Sequence, residues 1–425
     1  MNKPVCVVDQ MMGGGKTTAM GKRMNAHPEM RWMFATQYIT ECERIRQMCP
    51  ALNFQIPNDD DTTKSADVLR LIISGENIAL SHSLLSRFTT EMLDALHDQH
   101  YNLVMDEVFD VMHTVNVSEA DKQLLEDSGS IKGDELTGSM QWTRENYHQD
   151  SKFYELKQRM DLGGVVESGD KRMMEWMYRP DMFEVFDEVF LLTYLFEWSP
   201  MRFYFDIVGI PFFYSGVRRD GRGEYVLCRA DEADRPRMNF RNMIHIIDSK
   251  KRNDIGNDYY ALSKSWYEKA LKSNKNNIKR LRDNMRNVKE TDWGAVRSSD
   301  VMWSTFSGDI KPKVLRSYEK DKRRRYWING TFVEFSCRAK NEFGHKHHLA
   351  YLVNVFLPSA LSVMLANHGV KPTKEITDGY ATSVMIQWIW RSAIRNGEEI
   401  WLYMPSRRMR DLLNKWLDEV DGKGN

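Results

Sequence analysis

The sequence predicts an α/β fold built as two successive lobes, each around a parallel sheet, with an insertion in the first lobe. Three observations predict it. Short apolar runs alternate with helix-periodic segments, the pattern of parallel strands joined by crossover helices. A glycine-rich loop, Met12-Gly13-Gly14-Gly15-Lys16-Thr17-Thr18, lies between one such strand and one such helix. The chain has 425 residues, too many for one core and suited to two domains.

Residues 4–9 are apolar and β-branched and run into the glycine loop, so they predict the first strand, with a helix over 16–25. A second strand is expected over 31–36 with a helix to about Met48. A third covers 77–81 with a helix from Leu84 to about His97, and a fourth covers 101–108. A fifth strand is expected over 188–195 and a further one near 210–214. The polar, acid-rich stretch 112–182 between the fourth and fifth strands reads as an insertion. A charged stretch with Gly221, Gly223 and Pro236 reads as a linker over 218–240, dividing a first lobe (1–217) from a second (241–425). The second lobe opens with a strand over 243–248 and a long charged helix over about 258–288. Strands follow over 301–306, 332–337 and 349–356, then two helices, a strand over 399–404 and a last helix over 407–420.

Composition is that of a globular protein, 42% hydrophobic and 28% charged. No signal peptide or membrane-spanning apolar run is read, so no membrane partner is expected and the compartment expected is a cytoplasm. Five cysteines without C-x-x-C spacing read as reduced thiols. Sixty basic residues balance sixty acidic ones. Their distribution is uneven: acids gather over 110–187 and bases over 250–346, densest at Lys322-Arg323-Arg324-Arg325. Arg324 and Arg325 precede Tyr326 and Trp327, a mixture of cation and ring that grips single strands; a basic hairpin rim is the other reading.

The glycine loop carries the sharpest chemistry. Gly13, Gly14 and Gly15 let backbone N–H groups curl around phosphate oxygens, and the following helix adds its positive end. Lys16 would reach the outer phosphates of ATP, Thr17 would ligate Mg²⁺, and Thr18 completes the loop. Gln10 stands where the usual loop begins with glycine. The run Leu103-Val104-Met105-Asp106-Glu107 is an apolar strand ending in two acids: Asp106 suits the Mg²⁺ shell and Glu107 suits the base that activates water. Gln387, Arg391 and Arg395 recur at intervals of four, which on one helix aligns two guanidiniums and an amide to stabilise a transferring phosphoryl group. His345, His347 and His348 lack a Cys or acid at ligand spacing, so a loop is expected there rather than a metal site.

On these motifs the sequence resembles superfamily-two helicases of the DEAD/DEAH-box kind. It resembles more closely a family of small bacteriophage helicase-like proteins, in which segments like 383–395 and Tyr403-Met404-Pro405-Ser406-Arg407-Arg408-Met409-Arg410 recur near the C-terminus. Phe34-Ala35-Thr36-Gln37 with Glu43-Arg44-Ile45 looks like motif Ia, with Gln37 in place of proline, and Ser81-His82-Ser83-Leu84-Leu85 is similar to the next motif. Asp106-Glu107 matches motif II, followed by Val108-Phe109 rather than the usual pair. Leu192-Thr193-Tyr194 stands at motif III, Arg338 to Phe343 at motif V, and Gln387 and Arg391 at motif VI, with Arg395 one residue late. The resemblance covers most of the chain except the insertion and the linker. It implies two RecA-like lobes sharing one ATP–Mg²⁺ site, with Arg391 or Arg395 as the arginine finger. It implies that Thr36, Ser81, His82 and Asn341 touch nucleic acid or line the cleft, and that Thr193 couples ATP state to the strand. The expected activity is ATP-driven movement on nucleic acid, single-stranded DNA foremost, in phage replication or recombination beside replication proteins in a bacterial cytoplasm. Two other readings stay open. One is a terminase-type packaging ATPase whose nuclease domain would open at 243–248; the other is a nucleotide-gated binding factor with slow turnover.

Overall fold

In the computed structural model the apolar run Val5–Asp9 forms β1, the strand that delivers the glycine loop. The structure describes residues 3–422 apart from 61–62, 116, 135–138, 146, 149, 168–173, 236–237, 274, 308–309, 311–329 and 337–341. The chain divides into two units, Met1–Asp234 with Pro358–Pro372, and Arg235–Leu357 with Thr373–Asn425.

In the first unit β1 is followed by β2 (Arg31–Thr36), β3 (Ile78–Ser81) and β4 (Tyr101–Asp106). The insertion contributes β5 (Met112–Thr114), β6 (Ile131–Gly133), β7 (Met140–Trp142), β8 (Val165–Glu167) and β9 (Met174–Met177). Then come β10 (Val189–Thr193), β11 (Phe212–Arg219) and β12 (Tyr225–Arg229). The main sheet runs β12-β11-β1-β10-β4-β2-β3, all parallel except the hairpin partner β12. Its inner strands are apolar on both faces, as a sheet covered by helices on each side requires. β1 lies between β11 and β10, and β10 pairs β4, so Asp9 is opposite Thr193 and Leu192 is opposite Asp106. The carboxyl ends of these strands are where an open parallel sheet places its ligands.

Three local differences from the expected elements have physical causes. The single helix expected from Leu84 to His97 forms as His82–Leu85 and Thr90–Gln99, because Thr89 turns out of the helix and caps the second piece at Met92. The helix Lys64–Ile73, capped by Thr63, was not expected. The span 218–240, read as a linker, holds the end of β11 and all of β12; Gly221 and Gly223 make the hairpin turn, with Gly223 at φ +80°.

A fourth difference is one of membership. The helix Ser359–Asn367, expected in the second lobe, belongs to the first unit. Glu175 of β9, 1% exposed, accepts from Asn367 Nδ2 at 2.9 Å and pairs with His368 Nε2 at 3.2 Å.

The second unit holds β13 (Ile244–Ile246), β14 (Val301–Ser304), β15 (Thr331–Phe332), β16 (His348–Tyr351) and β17 (Ile400–Tyr403). They form a parallel sheet ordered β13-β17-β16-β14-β15. The expected long helix forms as Lys264–Lys272 and Lys275–Asn287, which bury Tyr267, Ile278 and Leu281 against Trp303 and Tyr403. Arg408, in the helix Arg407–Val420, is buried. It donates to Asp378 Oδ1 at 2.7 Å, Asn354 Oδ1 at 2.9 Å and the Val355 carbonyl at 2.6 Å, and lies over the Phe356 ring at 4.2 Å. Among the described residues no helix is long and apolar enough to cross a membrane.

Candidate nucleotide site

The loop between β1 and the helix Lys16–Ala26 turns on two left-handed glycines, Gly13 at φ +76° and Gly15 at φ +84°. Only glycine takes this geometry without strain. Space is as tight as the dihedrals. A Cβ on Gly14 would stand 2.7 Å from Gln10 Cγ, and one on Gly15 would stand 2.4 Å from the Tyr225 ring. Gln10, in place of the usual first glycine, is itself pinned: its amide donates to the Asp234 carbonyl at 2.7 Å.

Lys16 begins the helix and is buried. Its ammonium donates to the Gln10 carbonyl at 2.6 Å and to the Met11 carbonyl at 3.4 Å. Burial pulls it below its ordinary pKa, against the nearby carboxylates of Glu107, Asp106 and Asp9. One turn of sheet away, the Thr17 hydroxyl donates to Asp106 Oδ1 at 3.3 Å. Desolvation first, then the neighbouring Glu107, push the Asp106 carboxyl up to about 7, with Lys16 opposing. Glu107 leaves β4 at φ +73°, with its N–H bonded to the Leu192 carbonyl at 2.8 Å. A non-glycine residue in that region is held there by its surroundings. The site thus gathers one buried cation, one hydroxyl and three carboxylates. A hydroxyl and a carboxylate oxygen are the hard donors Mg²⁺ prefers, with water completing its shell. Thr18 is exposed on the first turn of the helix.

The other sequence candidates are placed as follows. Thr36 and Ser81 are register partners at the carboxyl ends of β2 and β3, and Ser81 caps the helix His82–Leu85. Ser81 also lines a groove of about 820 Å³ with Lys64, Ser83 and Arg87. His82 is buried against the Phe109 ring at 5.3 Å. Thr193, 1% exposed at the end of β10, has a hydroxyl with no hydrogen-bond partner among the described residues. In the second unit the helix Lys374–Ile389 carries Gln387 and then stops. Arg391 lies in the turn after it, and Arg395 in the short helix Ala393–Asn396. The expected alignment of Gln387, Arg391 and Arg395 on one continuous helix is therefore corrected. The Ser392 hydroxyl takes the Ile389 carbonyl at 2.7 Å and closes the helix early. His347 bonds the Glu399 carbonyl and His348 stacks on Trp401, and among the described residues no cluster suits a metal. Asn341, Arg324 and Arg325 lie outside the described residues.

Two residues of the site escaped the sequence reading. Asp9 closes β1 and takes the N–H of Leu195 at 2.9 Å and of Phe196 at 3.1 Å. An acid at the end of the strand that feeds a glycine loop was its available signal. Tyr225 packs on Gly15 from β12, and it sat in the span read as linker, where nothing marked it.

The fold is shared with solved structures. The S. tokodaii Xpd4 structure aligns with a TM-score of 0.52 at 10% identity, covering 97% of this chain and 94% of that one. An XPD helicase aligns with a TM-score of 0.49 at 11% identity, covering 97% and 95%. At such identity the Xpd4 likeness is one of fold: two RecA-like parallel-sheet lobes. Residues 238–417 match the family described as the YonV C-terminal Rossmann-like domain. The SPbeta prophage-derived uncharacterized protein YonV of Bacillus subtilis (strain 168) is 31% identical over 426 residues, 97% of this chain and 98% of that protein. With a relative so similar over so nearly the whole of both chains, this chain belongs to the YonV family.

Proposed function

We propose that the protein is an ATP-hydrolysing nucleic-acid motor of the helicase type. The observation that carries the reading is the contact between Thr17, on the helix that follows β1, and Asp106, at the end of β4, beside a buried Lys16 and with Glu107 next in the chain. A lysine for the phosphates, a hydroxyl and a carboxylate for the cation, and a second carboxylate for water are the parts phosphoryl transfer to water requires.

In this reading the loop N–H groups of Gly13 to Thr18 and the Lys16 ammonium hold the phosphates of ATP. Lys16 exchanges its carbonyl partners for phosphate oxygens, which offer a buried cation full negative charge. Thr17 and Asp106 hold Mg²⁺, which offsets charge on the phosphates when bound. Glu107 takes a proton from the attacking water. Arg391 or Arg395 supplies the cation for the transition state, with Gln387 beside it. Thr36, Ser81 and His82, with Asn341, Arg324 and Arg325, are the proposed contacts to nucleic acid, single-stranded DNA foremost, and Thr193 is the coupling residue. The fold likeness to Xpd4 and the prophage source of the relative support a motor acting in phage DNA replication or recombination.

The test is ATP hydrolysis by the full chain, Lys16→Ala and Glu107→Gln. Loss in both variants is expected; full activity in either ends the reading.

A further inference from the structure

Asp9 is a half-buried carboxylate beside the phosphate loop that this mechanism leaves unused. It stands at the end of β1, directly opposite Thr193 in the register of β1 and β10. Its two oxygens take the N–H groups of Leu195 and Phe196, the residues into which β10 turns. Leu195 is held at φ +57°, a geometry a branched side chain does not choose unaided. The next residue along, Gln10, donates its N–H to the Thr193 carbonyl at 3.0 Å and accepts the Lys16 ammonium on its own carbonyl at 2.6 Å. Beside the Gln10 side-chain bond to the Asp234 carbonyl, residues 9 and 10 carry four further hydrogen bonds at this place. Three fasten the turn at 193–196 and one fastens the lysine of the phosphate loop. Burial raises the Asp9 carboxyl above its ordinary pKa, while those two backbone donors and Lys16 act to keep it ionised.

A phosphate group competes for the Lys16 ammonium, and when it does the Gln10 carbonyl loses a partner. The residue that loses it is the one whose own N–H holds the Thr193 carbonyl. We propose that Asp9 is a positioning residue that ties the phosphate loop to the Thr193–Phe196 turn, so that phosphate capture at Lys16 is felt in that turn. This rests on the ATPase reading for its ligand. It adds a residue and a route: Asp9 and Gln10 are the physical connection through which Thr193 would register the nucleotide. Coupling of this kind needs a two-state element that both sites bias, and the left-handed turn held by Asp9 is the element proposed for that part.

The test uses the full chain, Asp9→Asn and Leu195→Gly, with Mg–ATP and single-stranded oligo(dT) as probes. Asp9→Asn keeps shape but loses the charge and one acceptor. Leu195→Gly leaves Asp9 in place and frees the turn from its imposed dihedral. In both variants the stimulation of ATPase by oligo(dT) is expected to fall by about 5- to 100-fold, the span of ordinary coupling between sites. The KM for ATP is expected to move far less. Hydrogen exchange gives a readout apart from turnover. The Leu195 and Phe196 amides should exchange slowly in the natural protein, slow further with Mg–ATP, and lose both properties in Asp9→Asn while β10 stays protected. Stimulation at the natural level in both variants overturns the proposal, as does a raised KM with stimulation intact. A natural protein that hydrolyses no ATP ends the motor reading alone. The relay is then decided by exchange at 195–196, where a nucleotide response lost in Asp9→Asn supports it and no response overturns it.

Discussion

The Thr17 hydroxyl lies 3.3 Å from Asp106 Oδ1, joining the first turn of the loop helix to the end of β4. On the proposed reading, a divalent cation bound there would take a ligand from each. Thr17→Ala should raise the Mg²⁺ concentration needed for half-maximal hydrolysis by about 10- to 100-fold, the usual loss for a removed metal partner. Mg²⁺ titration of the ATPase rate checks this; an unchanged midpoint would remove Thr17 from the cation shell.

Gly15 and Tyr225 give a test of the loop's mechanics. A methyl at Gly15 meets the Tyr225 ring at 2.4 Å and must also sit at φ +84°. Gly15→Ala should cost the sum of a steric clash and a left-handed dihedral, each on the order of 1–2 kcal/mol. Adding Tyr225→Ala should return the steric part only. Urea unfolding of the single and double variants separates the two; full recovery in the double variant would mean that the dihedral carries no cost.

Arg408 recurs in the C-terminal segment that first suggested a family, and its role in the structure is internal. Removing it leaves Asp378 to its Lys374 partner and takes the buried donor from the Asn354 and Val355 acceptors. Arg408→Ala should destabilise by about 3–5 kcal/mol, as broken buried pairs do. A loss of nucleic-acid binding with unchanged unfolding would instead make it a contact residue.

The thiols give a prediction about pH. Burial pushes Cys6 and Cys49 up to about 11 and Cys42 up to about 12. A raised thiol pKa means the reactive thiolate is scarce below that value, so at pH 8 all three should resist alkylation. Labelling followed by mass mapping should find them modified only after denaturant is added. Prompt native labelling of Cys42 would show that its helix opens.

What the sequence made legible follows from locality. β2 and the last helix, Arg407–Val420, form over the residues their apolar periods mark, because each pattern is read within one element. The glycine loop and Asp106-Glu107 were legible as local patterns, three glycines between a strand and a helix and two acids closing an apolar strand. The illegible parts depend on contacts far apart in the chain. β12 became a strand because β11 offered it an edge, against glycines that read as linker. The helix Ser359–Asn367 joined the first unit through Glu175, nearly two hundred residues earlier, which no window of sequence displays. The helix before Arg391 ended at a serine that took a backbone carbonyl, a choice made by geometry rather than by propensity.

The central claim is an ATPase driven by nucleic acid through Lys16. The most direct measurement is steady-state ATP hydrolysis by the full chain with and without single-stranded DNA, duplex DNA and RNA, beside Lys16→Ala. Stimulation by one of these, single-stranded DNA foremost, is expected, with a fall of about 100- to 1000-fold in Lys16→Ala, the cost of removing one charge-stabilising group. Hydrolysis that ignores every nucleic acid, or that survives Lys16→Ala, would contradict it.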